Sequence, residues 1–241
     1  MRRYSILLAL AFLSACSDST SPDAIPADCL TGTLLNGIIA FYPFSNGSLS
    51  DESGNGYNLI NPTAAAPGPD RSGNPGCAYQ FNEASDDYLT FVNPSFLNDL
   101  PSNFTISFWF KSHEETNDLA ILLSRGTETI CTNTTGQWSV QFINRSLIFG
   151  ANGYITATMY EPQQWHHVVV SSTNSSVSLF LDGTELTNGN PYCTTPDPTQ
   201  NSGDFYIGKF LDGLIDDIII YDRSLTASEI SQLQNLAPCC N

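Results

Sequence analysis

Positive charge is scarce in this chain: 241 residues carry 8 Lys and Arg against 24 Asp and Glu, with 3 His. That balance argues against nucleic acid as a partner, because phosphate backbones are held by clustered Lys and Arg. It argues equally against direct electrostatic binding to anionic membranes. Long apolar runs are also missing, since Ile6–Leu13 is too short to cross a bilayer. No Cys-x-x-Cys pair or Cys/His spacing suggests zinc, and the adjacent Cys239 and Cys240 are poorly placed to share one tetrahedral ion. A Gly-x-Ser-x-Gly nucleophile elbow is absent. No repeat of fixed period occurs, which argues against solenoids and propellers.

The N-terminus has the order of a secretory signal: Arg2 and Arg3, the apolar Ile6–Leu13, then Leu13-Ser-Ala-Cys16. Those last four residues resemble the lipobox of bacterial lipoproteins, which implies cleavage after residue 15 and lipidation of Cys16. The polar, Pro-containing stretch that follows cannot build a core and reads as a tether. The chain therefore divides into a signal (1–15), a lipidated tether (16–35) and one domain (36–241). The expected location is the bacterial cell envelope, as an outer-membrane or cell-surface lipoprotein, with membrane contact through the lipid alone. Removal of residues 1–15 leaves 6 Lys and Arg against 24 acids, a net charge of −18. Such acidity suits a soluble extracellular surface and favours divalent cations.

Six further cysteines, Cys29, Cys77, Cys131, Cys193, Cys239 and Cys240, follow the secretory signal. An even count in that setting predicts three disulfides. Cys131 and Cys193 both lie in Thr/Asn/Pro-rich loops and are the preferred pair. Cys239 and Cys240 then staple the C-terminus to Cys29 and Cys77, in an order the sequence leaves open.

Strand-like runs recur throughout the domain: 38–41, 78–81, 88–92, 104–111, 120–123, 138–143, 146–149, 165–171, 177–181, 205–207 and 214–221. Gly, Asn, Pro, Ser and Asp clusters separate them, as antiparallel turns require. In the run 104–111, Phe104, Ile106, Phe108 and Phe110 alternate with Thr105, Ser107, Trp109 and Lys111, the pattern of a half-buried strand. A single short helix is expected where Thr226-Ala-Ser-Glu229 has capping-box spacing before Ile230, Leu233 and Leu236. The fold class read from these runs is all-β, an antiparallel sandwich or barrel with one short C-terminal helix.

The last strand contains two acids, Asp216 and Asp217, among aliphatic residues. Strict alternation puts Leu214, Asp216, Ile218 and Ile220 on one face and Ile215, Asp217, Ile219 and Tyr221 on the other. Either face then carries a carboxylate, with no Lys or Arg in the strand to compensate it. A bound cation is one solution, and a position near the strand end within reach of water is the other.

Several segments together resemble the laminin G-like, concanavalin A-like lectin/glucanase domains of bacterial surface proteins. They are Gly37-Ile-Ile-Ala-Phe-Tyr-Pro-Phe44, Asp51-Glu-Ser-Gly-Asn-Gly56, Ala78-Tyr-Gln-Phe81 with Asp86-Asp-Tyr88, Phe104-Thr-Ile-Ser-Phe-Trp109, Trp165-His-His-Val168, Leu179-Phe-Leu-Asp-Gly183 and Gly213–Ile230. The resemblance implies a two-sheet antiparallel jelly-roll sandwich. It also implies a structural calcium ion held by Asp51, Ser53, Asn55 and Asp216, which would leave Asp217 as a surface acid. The alternative for Asp51 is a tight turn in which its carboxylate binds the backbone two residues on. Asp86-Asp87 reads first as a solvated turn and second as another calcium site. Trp165-His-His reads as packing plus a surface histidine, and Asp182-Gly183 as a hairpin turn. Tyr154, Tyr160, Trp138 and Tyr192 read as packing residues before sugar platforms.

Enzymes of this fold that break β-glucans carry Glu-x-Asp-x-x-Glu, which is absent here. Glu114-Glu115 has the wrong spacing for a retaining carboxylate pair and Glu128 stands alone. Arg125 and Arg145 do not assemble into a lyase constellation of Arg, Gln or His, and Tyr. The sequence therefore predicts a non-enzymatic module that binds a glycan or surface ligand. The alternatives are a protein-binding adhesion module and a polysaccharide hydrolase or lyase.

Overall fold

The computed structural model describes residues 29–98, 103–113, 119–126, 137–151, 154–173, 176–186 and 203–240. The first strands are β1 (Ile38–Tyr42), β2 (Ala66–Gly68), β3 (Ala78–Phe81), β4 (Leu89–Phe91) and β5 (Phe104–Ser112). Next come β6 (Ala120–Arg125), β7 (Trp138–Ile143), β8 (Ser146–Ala151), β9 (Tyr154–Met159) and β10 (His166–Thr173). The last are β11 (Ser176–Leu181), β12 (Thr184–Leu186), β13 (Phe205–Ile207) and β14 (Gly213–Tyr221), followed by the helix α1 (Ala227–Gln234). The larger sheet runs β12-β11-β10-β5-β14-β3-β2 with β1 also on β14, and the smaller runs β4-β13-β6-β7-β8-β9. All pairings are antiparallel.

The sandwich core lies between the sheets. Phe104, Ile106, Phe108 and Phe110 of β5 and Val168 and Val170 of β10 share it with Val140 and Phe142 of β7 and Leu147 and Phe149 of β8. A second core covers the outer face of the larger sheet. Here Phe41, Val169, Ile219 and Tyr221 pack under Ile230 and Leu233 of α1, with Leu30, Leu34 and Cys239. β5 is therefore covered on both faces, correcting the half-buried expectation: Thr105 and Ser107 are as buried as its phenylalanines. The capping box forms as expected, with Thr226 Oγ1 accepting from the Glu229 N–H and the Glu229 carboxylate accepting from the Thr226 N–H.

Two disulfides close the termini onto this face, Cys29–Cys239 and Cys77–Cys240, which settles the order left open above. Such bonds belong to an oxidising compartment. Cys16, Cys131, Cys193, Glu114, Glu115, Glu128 and Tyr192 lie outside the described residues.

Candidate functional site

β14 departs from strict alternation. Asp216 pairs with Trp109 and Ile219 with Ser107, so three steps on β14 match two on β5, a β-bulge. Asp217 holds the bulge in the left-handed region at φ 46°, a conformation that Asp tolerates better than most residues. The extra residue changes the phase. Ile215, Ile218 and Ile220 enter the sandwich core, while Ile219 and Tyr221 join the second core. Asp217 is therefore no surface acid: it is 4% exposed and Asp216 is fully buried.

The two acids also fall in a gap. β3 pairs with Gly213–Ile215 and β1 with Ile218–Tyr221, leaving no strand partner on that side at Asp216 and Asp217. Arg71 reaches both carboxylates there. Its Nη1 donates to Asp216 Oδ2 at 2.9 Å and Asp217 Oδ2 at 2.7 Å, and its Nη2 to the Leu236 carbonyl at 3.1 Å. The guanidinium sits 4.6 Å from the centre of the Trp109 ring. The Cys239 N–H donates to the Asp217 carboxylate, while Asp216 Oδ1 is buried without a partner. Burial pushes Asp217 up to about 6 against the pull of Arg71. Burial, aided by the neighbouring Asp217 charge, raises Asp216 well above the usual carboxylate range.

The expected calcium residues do not form one donor set. Asp51 Oδ1 accepts from the Phe41 and Ser53 N–H groups, and Oδ2 from Ser53 Oγ and the Tyr57 N–H, all within 3.0 Å. Asn55 Nδ2 donates to the Ile39 carbonyl, and Ser53 Oγ shares its one proton between that carbonyl and Asp51 Oδ2. This is the tight-turn alternative, extended to wrap the free edge of β1. Both backbone groups of Phe41 bond to this loop, so β1 stands between Asp51 and β14. Asp216 belongs with Arg71, whose positive charge takes the position a metal would need. The residues present therefore do not fit one calcium ion joining Asp51 to Asp216. Among the described residues, no three His, Cys, Asp or Glu side chains converge on a metal position.

Arg71 is the residue that sequence reasoning missed, although a signal was there. Asp70-Arg-Ser-Gly-Asn74 repeats the pattern Asp51-Glu-Ser-Gly-Asn55 with an Arg in second position. The two loops fold alike: Asp70 Oδ1 accepts from the Ser72 and Asn74 N–H groups at 2.8 and 2.9 Å. One loop seals a strand edge, and the other delivers a cation to β14.

Asp87 is buried and ties the Ala64 and Asn82 N–H groups, while Asp86 is exposed. His166 and His167 lie on opposite faces as expected, but neither is a surface histidine, at 7% and 1% exposure. His166 Nδ1 meets Asp182 Oδ2 at 2.7 Å; the His167 ring leans on Trp109, and its Nε2 meets Ser107 Oγ at 2.8 Å. Burial pushes His167 down to about 3. Asp182 and Gly183 form the expected hairpin turn between β11 and β12, both at positive φ. Trp138 and Tyr160 are core residues.

Asp216 and Asp217 are close enough for a carboxylate pair, but they do not face a cleft. The cavity beside them, lined by Trp109, His167, Asp217 and Leu233 among others, measures about 10 Å³, room for about one water. Larger hollows lie elsewhere. One of about 290 Å³ is bordered by Gln80, Asn82, Ser85 and Asp87, and one of about 170 Å³ by Asn93, Pro94, Ser95, Asn98 and Arg125.

Comparison with known proteins agrees with this architecture. A stretch of the adhesion G-protein coupled receptor V1 of Danio rerio is 25% identical over 147 residues, covering 56% of this chain and 2% of the receptor. The binding domain of botulinum neurotoxin DC, solved with rat synaptotagmin II, superposes with a TM-score of 0.62 at 14% identity. That match covers 83% of this chain and 52% of the toxin chain. Trypanosoma rangeli sialidase, solved with sialic acid, gives 0.60 at 18% identity, over 82% of this chain and 32% of the enzyme. The chain thus spans about half or less of each relative, and the solved structures establish the fold alone. A family model matches residues 83–231, and with it the chain belongs to the concanavalin A-like lectin/glucanases superfamily.

Proposed function

We propose that this protein is a non-catalytic glycan-binding module, displayed on the bacterial cell envelope through a lipid on Cys16. The observation that carries the reading is the state of the Asp216–Asp217 pair. Both carboxylates are closed over by one guanidinium, beside a cavity far too small for a sugar ring. Glycoside hydrolysis needs two carboxylates flanking an accessible bond, with room for a water or a covalent intermediate. A lectin needs only a hollow with convergent amide and hydroxyl groups. The two open hollows offer these, and the family holds lectins as well as glucanases. Recognition takes place at the rim without turnover, and Arg71 rather than a calcium ion supplies the cation at β14.

The test is a glycan array with the mature chain, alongside an assay for released reducing ends on any glycan retained. Selective retention without release is the expected outcome, and release of product would overturn the non-catalytic reading. A protein ligand is the second reading, favoured by the toxin domain solved with synaptotagmin. Pull-down of a surface protein together with an empty glycan array would establish it.

A further inference from the structure

Beyond Arg2 and Arg3, the cationic side chains of this chain are Arg71, Lys111, Arg125, Arg145, Lys209 and Arg223. Three of the four arginines have acidic partners: Arg71 with Asp216 and Asp217, Arg145 with Glu161, and Arg223 with Glu229. Arg125 has none. It ends β6 between β13 and β7, opposite Phe205 and Trp138, and is 3% exposed. Its Nη1 donates to the Leu97 carbonyl at 2.5 Å and its Nη2 to Asn98 Oδ1 at 2.6 Å, while Nε has no partner. These bonds use two of the five guanidinium N–H groups, and both acceptors are neutral. Asp204 is held on the Asn93 N–H instead. Burying a charge without a counter-ion is costly, and burial lowers the Arg125 pKa accordingly.

The same guanidinium lines the 170 Å³ hollow with Asn93, Pro94, Ser95 and Asn98. Asn93, Ser95 and Asn98 are exposed at its mouth. Pro94 is the apolar residue of its lining. A buried fork of donors and a mouth of amide and hydroxyl groups thus occur in one place.

We propose that this hollow is a subsite for a single acidic sugar, of the uronic or sialic acid class, whose carboxylate becomes the missing counter-ion of Arg125. The proposal rests on the glycan-binding reading above. The exposed Asn98 side chain turns aside and yields Nη2 to the incoming carboxylate, which a planar guanidinium can hold through two parallel bonds. Asn93 and Ser95 meet the ring hydroxyls, and Pro94 meets the apolar ring edge. With a net charge of −18 on the chain without its first 15 residues, long acidic polymers are repelled, so the ligand is a terminal or isolated acidic residue.

Titration calorimetry on the mature chain compares glucuronate and N-acetylneuraminate with glucose, the methyl ester of glucuronate and an acetylated aspartyl peptide. At least one acidic sugar is expected to bind roughly tenfold or more tightly than its neutral counterpart, the gain of a charge-assisted hydrogen bond. Arg125→Lys keeps the charge but loses the fork and is expected to remove most of that preference. Ser95→Trp fills the hollow from an exposed position, leaves folding intact and is expected to abolish binding. Equal binding of acidic and neutral sugars, or acidic binding unchanged in Ser95→Trp, overturns the subsite and leaves the glycan-binding reading standing. Failure of every sugar here and on the glycan array, or preference for the peptide, overturns both.

Discussion

Arg71 and Asp216, 145 residues apart in the chain, meet at 2.9 Å beneath the C-terminal segment. The contact joins the Asp70–Asn74 turn to the last strand, and through the Leu236 carbonyl it also holds the chain after α1. Arg71→Met leaves two buried carboxylates without their cation, so it is expected to cost about 3–5 kcal/mol in chemical denaturation. Arg71→Lys is expected to fall between the two, since a lysine cannot hold both carboxylates, the carbonyl and the Trp109 face together. A cost under about 1 kcal/mol for Arg71→Met would show that the cluster is not a structural clamp.

The same arrangement predicts how the protein responds to chelators. A ligand that binds only the native state raises its melting temperature, and removal of that ligand lowers it. With Arg71 serving as the cation, melts in excess chelator and in millimolar calcium should coincide. In Arg71→Met the vacated carboxylates become available, and calcium is expected to raise the melting temperature of that variant. A calcium-dependent shift in the parent protein would restore a metal to the fold.

Two groups in this cluster pull stability in opposite directions with pH. Asp217 is raised by burial to about 6 in the folded protein. Its contribution is therefore complete below the unfolded value near 3.8 and lost as pH rises through about 6. His167, lowered by burial to about 3, contributes above the unfolded value near 6.5 and loses that contribution as pH falls toward 3. Asp217→Asn should consequently lose stability more steeply than the parent on acidification from pH 6.5 to 4, and His167→Gln less steeply. Parallel stability curves for all three proteins would refute the assignment.

Cys29–Cys239 and Cys77–Cys240 close loops of 210 and 163 residues in sequence. Removal of either pair is expected to cost about 2–5 kcal/mol. The Cys29/Cys239 double serine variant should be the more damaging, because Cys239 also packs in the second core and its N–H bonds Asp217. Urea denaturation of the two double variants checks the order.

Much of the fold is legible in the sequence because strands such as Phe104–Ser112 alternate their apolar residues, while Ala120–Arg125 and His166–Thr173 hold short apolar runs between turn residues. Three strands escape that reading. Ala66-Pro-Gly68 has the chemistry of a turn, Thr184–Leu186 is three residues long, and Tyr154–Met159 lacks a clear apolar alternation. The face of Asp217 was illegible for another reason: a bulge shifts the phase of β14 without altering composition. At the site, Asp51 could be read locally, since its turn is made within seven residues. The partner of Asp216 could be read only in part: the Asp70–Asn74 motif announces a turn, but nothing near either residue places that turn against a strand 145 positions later.

The adjacent cysteines also determine how the domain carries tension. A pull on the chain before Cys29 enters the fold at that residue, crosses to Cys239, passes one peptide bond to Cys240 and leaves through Cys77 at the head of β3. The shortest covalent route omits residues 30–76, so β1 and its Asp51 loop lie in mechanical shadow. Were the domain tethered at its N-terminus and loaded through a ligand, β1 would not be the first strand to peel.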